Sequence, residues 1–99
     1  MVVGSLSHTF TCNGGTTAYN VAWSVSGDVG GRVNLFRLRS DGNFQQIGFN
    51  VAFTGSLLDT PPGTGSYQYW VIAANSDNVD TVRKDPSSGF FASNGSCID

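Results

Sequence analysis

The sequence predicts an all-β fold, and three features lead to that prediction: small polar residues, closely spaced turns, and apolar residues at every second position. Charged residues make up only 12% of the 99 residues, about half the usual share, and glutamate is absent. Serine, threonine, asparagine and glycine fill the polar positions, and these residue types suit strand and turn surfaces better than helix surfaces. The aromatic fraction of 12% supplies a core and argues against disorder.

The length and the turns of the chain describe a single domain spanning residues 1–99. A chain of this size has room for one two-layer core. Turn residues recur roughly every 8–15 residues, a spacing typical of a sandwich or barrel of short strands. The predicted turns lie at 13–15, 27–28, 30–31, 41–42, 61–63, 75–78 and 85–89.

Apolar and polar residues alternate in the segments between these turns, which is the period of a half-buried strand. The alternating sets are, in chain order, Leu6, His8, Phe10 and Cys12, then Tyr19, Val21, Trp23 and Val25, then Ile47, Phe49, Val51 and Phe53. With the segment 66–74, these sets predict a core that contains Val21, Trp23, Phe49, Val51, Phe53, Tyr69 and Val71.

The segment 32–39 is a further predicted strand, in which either set of alternate residues can face inward. We expect Phe36 and Leu38 to face the core, because Arg37 and Arg39 are better solvated. The turn at 40–42 then joins this strand to 43–49 as a hairpin. Later strands are predicted at 66–74 and, more weakly, at 79–84 and 90–98, and no segment has a helical period.

Charge and reactive residues exclude several classes of function. The net charge is −2 and no window concentrates lysine or arginine, so the basic footprint of a nucleic-acid-binding protein is missing. No apolar run is long enough for a membrane span, and no leader peptide is visible. One histidine, two cysteines and seven scattered aspartates make neither a zinc set nor a catalytic constellation. The sequence therefore predicts no enzyme, no bound metal and no cofactor.

The two cysteines, Cys12 and Cys97, lie near opposite ends of the chain. A bridge between them would close most of the chain and stabilise the fold by roughly 4–5 kcal/mol in the chain-entropy model. Two buried free thiols are the alternative, as is common in proteins of reducing compartments.

The segment 67–75 resembles the sixth strand of fibronectin type III and related immunoglobulin-like domains. The family has an aromatic residue, then apolar residues at every second position, then alanine and asparagine, and Trp23 also sits where the second strand keeps a core tryptophan. The resemblance implies an immunoglobulin-like antiparallel β-sandwich in which the hydroxyl of Tyr67 bonds backbone just upstream, as a tyrosine corner. It also implies that Cys12 and Cys97 join the first and last strands in a disulfide. The matching positions on the sixth strand are Tyr67, Tyr69, Val71, Ala73 and Asn75.

A second likeness, to β-rich phage and viral virion proteins, runs through 35–37, 41–44, 47–48, 57–61 and 65–67. These segments read as an apolar-aromatic-arginine strand, a glycine turn, an isoleucine-glycine return, and an Asp-Thr-Pro turn before a tyrosine-rich strand. The likeness implies a capsid decoration (cement) subunit or a head or tail fibre domain on the outer surface of a virion. Such a protein binds capsid or other virion subunits and forms homo-oligomers. The alternative is a secreted or cell-surface adhesion module that binds carbohydrate on aromatic platforms.

Strand alternation also singles out a candidate interface. If Tyr69 and Val71 face the core, then Gln68, Trp70 and Ile72 face outward, where a large aromatic and an aliphatic side chain form a candidate anchor. Either this face contacts a partner, or the C-terminal residues Phe90 and Phe91 fold back and cover it.

Overall fold

A computed structural model describes residues 1–77, 81–84 and 90–99, and these residues form two antiparallel β-sheets with no helix. The prediction of an all-β fold is therefore confirmed for this part of the chain. In the same residues, no helix is long and apolar enough to cross a membrane. The predicted turn at 85–89 and the beginning of the predicted strand at 79–84 lie outside the described residues.

The first sheet has three strands and the second has five. The three-stranded sheet is formed by β1 (Val2–Asn13), β2 (Thr16–Ser26) and β5 (Thr54–Asp59), in the order β1-β2-β5. In the second sheet, β4 (Phe44–Gly48), β3 (Arg32–Arg39) and β6 (Gly65–Ala74) follow one another. Its last two strands, β7 (Thr81–Lys84) and β8 (Phe91–Ser93), both pair with β6, one at each end of that strand.

The turn between β1 and β2 shows how local sequence sets the register of a sheet. Gly14 and Gly15 both have positive φ, +60° and +82°, which glycine adopts without steric cost. Two such residues between antiparallel strands make the tight hairpin turn whose twist matches the strands. The ladder then runs from the pair Asn13–Thr16 to the pair Val2–Ser26, with one irregularity beside Gly4.

The core lies between the two sheets and is built from the alternate residues of β1, β2, β3 and β6. Val21, Trp23, Tyr69 and Val71 are buried, which confirms those predictions. Trp23 also donates its indole N–H to the carbonyl of Ala52 at 2.7 Å, so its one polar atom is paired. The predicted core residues Val51 and Phe53 are half-buried and pack against this cluster.

Phe49 is not a core residue, and this prediction was wrong. Its side chain is 75% exposed. The alternation from Ile47 to Phe53 suggested one continuous strand, but β4 ends at Gly48 and the chain turns at Asn50, whose φ is +50°. The turn resets the alternation, so Val51 donates its N–H to the carbonyl of Val33 and Phe49 points into solvent.

The facing of β3 was also predicted wrongly. Val33, Leu35 and Arg37 point inward and are buried, whereas Phe36 and Leu38 lie on the outer face and are half-buried. Solvation favours an outward-facing arginine only where the interior holds no carboxylate that can pair with it. Here Asp59, on the opposite sheet, is buried and pairs with Arg37.

Candidate contact surface

Three aromatic rings meet on the outer face of the five-stranded sheet. Cross-strand pairing places Phe36 of β3 beside Trp70 of β6, and Leu38 beside Phe44 of β4. The rings of Phe36 and Phe44 stack with their centroids 4.7 Å apart, and Phe44 meets Trp70 edge-on at 6.4 Å. Offset and edge-to-face contacts of this kind add stability beyond the area they bury.

These rings belong to a larger uncharged patch, which we call the outer aromatic face. Gln68 is 8% exposed, and its side-chain carbonyl accepts the indole N–H of Trp70 at 2.8 Å. That bond holds the tryptophan ring in place while leaving its apolar atoms half-buried at the surface. Phe44, at the edge of the sheet, is 45% exposed. The outer aromatic face consists of Phe36, Leu38, Phe44, Gln68, Trp70 and Ile72.

Phe91, one of the two C-terminal phenylalanines, does not cover this patch. Phe91 pairs with Tyr67 in register and therefore points to the inner side of the sheet. The centroid of its ring lies 4.3 Å from that of the His8 ring and 4.5 Å from that of the Tyr19 ring, inside the sandwich. Phe90, just before β8, is about half exposed. The structure therefore groups Gln68, Trp70 and Ile72 together but places Phe91 in the interior.

A buried polar network lies on the inner side of the same strands. The carboxylate of Asp59 accepts hydrogen bonds from the Arg37 guanidinium and, at 2.6 Å, from the Tyr69 hydroxyl. Arg37 also donates to the side-chain carbonyl of Gln45 on β4 at 2.6 Å. Burial, and then the bond to Asp59, raise the pKa of Tyr69 well above its usual range. The network connects β3, β4 and β6 to β5 through hydrogen bonds. It therefore fixes the positions of the three strands that carry the outer aromatic face.

The C-terminal residues cross from one sheet to the other, where a disulfide holds them. Cys12 and Cys97 are bonded, with their Cα atoms 5.8 Å apart. Beside them, the Asp99 carboxylate accepts the backbone N–H groups of Gly14, at 3.1 Å, and Gly15, at 2.8 Å. Of the described residues, only Cys12, Cys97 and Asp99 group closely enough to suggest a metal site, but both sulfur atoms are taken up by the disulfide.

Asp28, Arg39 and Asp41 form polar contacts at the two ends of strand β3. Asp28, in the loop before β3, accepts the backbone N–H groups of Ser76 and Gly30 and the Ser76 hydroxyl. These bonds, the Ser76 backbone first, lower the pKa of Asp28. The carboxylate therefore pins two neighbouring loops to each other. Arg39 and Asp41 form a partly exposed ion pair at the other end, their charged atoms 3.6 Å apart.

Phe36 and Phe44 are the members of the patch that sequence reasoning missed. Phe36 was assigned to the core because the facing of β3 was inverted, and Phe44 was read only as part of a hairpin. The buried Arg37–Asp59 ion pair identifies them, because it places Arg37 on the inner face of β3 and Phe36 on the outer face. Predicting that pair requires the register of β5, which places Asp59 in the interior. Comparison of the chain with known families, curated proteins and solved structures found no match.

Proposed function

We propose that the chain is an immunoglobulin-like sandwich that acts as a non-enzymatic structural protein of a phage or viral virion. The strand order supports the family: the first, second and fifth strands face the third, fourth, sixth and later strands, as in immunoglobulin-like domains. The hydroxyl of Tyr67, at the start of β6, donates to the carbonyl of Pro62 five residues upstream at 2.8 Å. That bond is the geometry of a tyrosine corner.

The outer aromatic face carries the functional part of the proposal. It exposes apolar area that would gain roughly 25 cal/mol per Å² on burial against a partner. Its anchors are aromatic, as is common for the residues that dominate binding energy. None of its six residues is charged, so these residues add no unpaired charge that a neutral partner would have to desolvate. On the β7 side, Ile72 pairs in register with Arg83, so the uncharged patch ends there.

In a virion, we infer that this face attaches the protein to capsid subunits as a decoration (cement) subunit, with a head or tail fibre domain as the variant. The subunit caps seams of the shell and adds buried area and hydrogen bonds that resist internal pressure. A disulfide-bonded chain with few charges suits the outer surface of a particle, because disulfides persist in oxidising surroundings.

The experiment compares Trp70→Ser with Leu58→Ser in their binding to purified particles. Leu58 is a matched control, since it is an exposed leucine on the outward side of β5, in the other sheet. We expect Trp70→Ser to remain folded by circular dichroism and to lose co-sedimentation with particles, while Leu58→Ser still sediments with them. Equal binding by both variants contradicts the proposed face.

The competing function is that of a carbohydrate-binding adhesion module. A parallel assay distinguishes it from the virion function. The protein is passed over columns of neutral glycans, and binding to particles is measured on the same preparation. Retention on a glycan column that Trp70→Ser abolishes, together with absence from particles, overturns the virion assignment and places the protein among secreted adhesion modules. Absence of glycan retention leaves the virion proposal standing.

A further inference from the structure

Three metal-ligating side chains meet where the C-terminal residues cross the β1–β2 hairpin. The sulfur atoms of Cys12 and Cys97 and a carboxylate oxygen of Asp99 all lie within 4.8 Å of one another. The Oδ1 atom of Asp99 is 2.8 Å from the sulfur of Cys12. A metal ion binds the thiolate form of cysteine, so the disulfide prevents this group from acting as a site. Reduction of the disulfide supplies two thiols at this point.

The Asp99 carboxylate is held by backbone groups that are not part of the disulfide. Gly15 donates its N–H to Oδ1 at 2.8 Å, and Gly14 donates its N–H to Oδ2 at 3.1 Å. Each carboxylate oxygen has two lone pairs, so each keeps one that can face a metal ion. Hydrogen bonds of this kind orient a ligating carboxylate and raise the affinity of a metal site. Asp99 is therefore a positioned oxygen ligand beside the two sulfur atoms.

We propose that reduction converts the Cys12–Cys97 disulfide into a binding site for Zn²⁺. The ligands are the two thiolates and the Asp99 carboxylate, and a water molecule completes the tetrahedron. Thiolate ligands select Zn²⁺ over Mg²⁺ and Ca²⁺, which prefer oxygen ligands. Three protein ligands with one open position are also an established arrangement for protein-bound zinc.

The conversion of the disulfide into the metal site takes two steps. A dithiol reductant transfers two electrons and two protons to the disulfide and itself becomes a disulfide, which leaves Cys12 and Cys97 as thiols. Zn²⁺ then displaces both thiol protons into solvent and binds the two sulfur atoms. Both reagents can reach the group, because the two cysteines are only half-buried and Asp99 is exposed.

The distances between the three side chains suit such a site after small rotations. With Zn–S bonds of about 2.3 Å and a Zn–O bond of about 2.1 Å, the ligand atoms of a tetrahedral site are about 3.5–3.8 Å apart. The Cα atoms of Cys12 and Cys97 are 5.8 Å apart, so rotation about the Cα–Cβ bonds brings the freed sulfur atoms to this separation. Asp99 Oδ1 then moves about 1 Å away from the Cys12 sulfur.

The site gives the chain a second way to hold its C-terminal residues. Disulfides persist in oxidising compartments and are reduced in the cytosol. Bound Zn²⁺ would hold Cys97 and Asp99 against the hairpin in the reduced chain, as the disulfide does in the oxidised one. This inference goes beyond the proposed attachment to capsid subunits and does not rest on it, because the ligands lie outside the outer aromatic face.

Calorimetric titration with Zn²⁺ tests the inference. The chain is reduced with a dithiol, freed of the dithiol by gel filtration under argon, and compared with the disulfide-bonded chain. We expect one equivalent of Zn²⁺ to bind the reduced chain and none to bind the oxidised chain. Asp99→Asn keeps the shape of the side chain without its charge and should weaken binding at least about tenfold. Asp41→Asn is the control, since Asp41 is an exposed aspartate outside the group, and it should bind Zn²⁺ like wild type.

Three results overturn the proposal: no Zn²⁺ bound by the reduced chain, equal affinity of reduced wild type and Asp99→Asn, or a Zn²⁺-bound chain without native circular dichroism. The third result covers a chain that unfolds on reduction, because Zn²⁺ must then restore the fold.

Amide hydrogen exchange on the reduced chain provides a second measurement. Zn²⁺ should raise the protection of the Gly14, Gly15 and Cys97 amides at least about tenfold, and unchanged rates contradict the site. Reduced Trp70→Ser should bind Zn²⁺ like wild type. Loss of particle binding by Trp70→Ser with intact Zn²⁺ binding therefore separates this inference from the proposed function.

Discussion

Arg37 and Asp59 form an ion pair that closes one side of the sandwich, joining the five-stranded sheet to the three-stranded one. Their side chains are only 11% and 8% exposed. Tyr69 donates a further hydrogen bond to Asp59, and Gln45 accepts one from Arg37. A buried ion pair of this kind does not by itself prove high stability, because desolvation offsets much of the attraction. It does make each partner dependent on the other.

Removal of either partner should therefore destabilise the protein strongly. We expect Arg37→Ala and Asp59→Ala each to lower the free energy of unfolding by about 3–5 kcal/mol, because each leaves a buried charge without its counterion. Arg39→Ala is the control, since the Arg39–Asp41 pair is largely solvent-screened and should change stability by less than about 1 kcal/mol. Urea unfolding followed by tryptophan fluorescence measures all three. Similar small losses for Arg37 and Arg39 contradict a buried network.

Tyr69 should make the protein sensitive to alkali. Its pKa is raised by burial and by the bond to Asp59, so the folded chain keeps a proton that the unfolded chain releases above about pH 10. The unfolded state then binds fewer protons than the folded state, and stability falls as pH rises, by up to about 1.4 kcal/mol per pH unit for this group. Unfolding by urea at pH 9 to 11 measures the slope. Tyr69→Phe should have a shallower slope, and an unchanged slope contradicts the assignment.

The alternation along β2 and β6 was enough to predict the centre of the core. Val21, Trp23, Tyr69 and Val71 recur with period 2 in strands that lie in the middle of their sheets, where no turn interrupts the pattern. The same rule failed at Phe49, because the chain turns at Asn50 between two edge strands and asparagine adopts that conformation without any glycine to signal it.

The outer aromatic face was only partly predictable, because its composition depends on a contact between two residues that are distant in sequence. The facing of β3 depends on whether Arg37 has a partner inside the sandwich, and that partner, Asp59, is 22 residues away on a strand of the other sheet. Solvation of a single arginine could not decide this question. Once Arg37 is assigned to the interior, Phe36 must lie beside Trp70 on the outer face.

Trp23 and Phe49 provide a direct test of which aromatic residues hold the core. We expect Trp23→Ala to lower the free energy of unfolding by about 3–5 kcal/mol, since it leaves a large cavity and an unpaired carbonyl at Ala52. Phe49→Ala, which trims an exposed ring, should change it by less than about 0.5 kcal/mol. Thermal and urea unfolding measure both. An unchanged melting temperature for Trp23→Ala would show that the core is placed wrongly.

The disulfide should hold the C-terminal residues against the first hairpin, and it should also restrict the conformations of the unfolded chain. It joins residues 85 apart in sequence, which in the chain-entropy model stabilises the fold by roughly 4–5 kcal/mol. Around it, Thr17 donates its hydroxyl to the carbonyl of Ser96, and Cys97 donates its N–H to the carbonyl of Gly15. The carboxylate of Asp99 accepts two more hydrogen bonds, from the N–H groups of Gly14 and Gly15. These few hydrogen bonds are partly exposed to solvent. Reduction should therefore free this segment before the sheets separate.

Three measurements check this prediction. Alkylation of the native protein without reductant should leave its mass unchanged, whereas alkylation after reduction should add two labels. The double variant Cys12→Ser, Cys97→Ser should unfold at lower urea concentration than wild type. In hydrogen exchange on that variant, the amides of Gly14, Gly15 and Cys97 should lose protection while that of Val71, in the centre of β6, keeps it under mild conditions. Uniform loss of protection would mean that the disulfide holds the whole fold rather than this segment, and two labels on the unreduced protein would mean that the bond does not form.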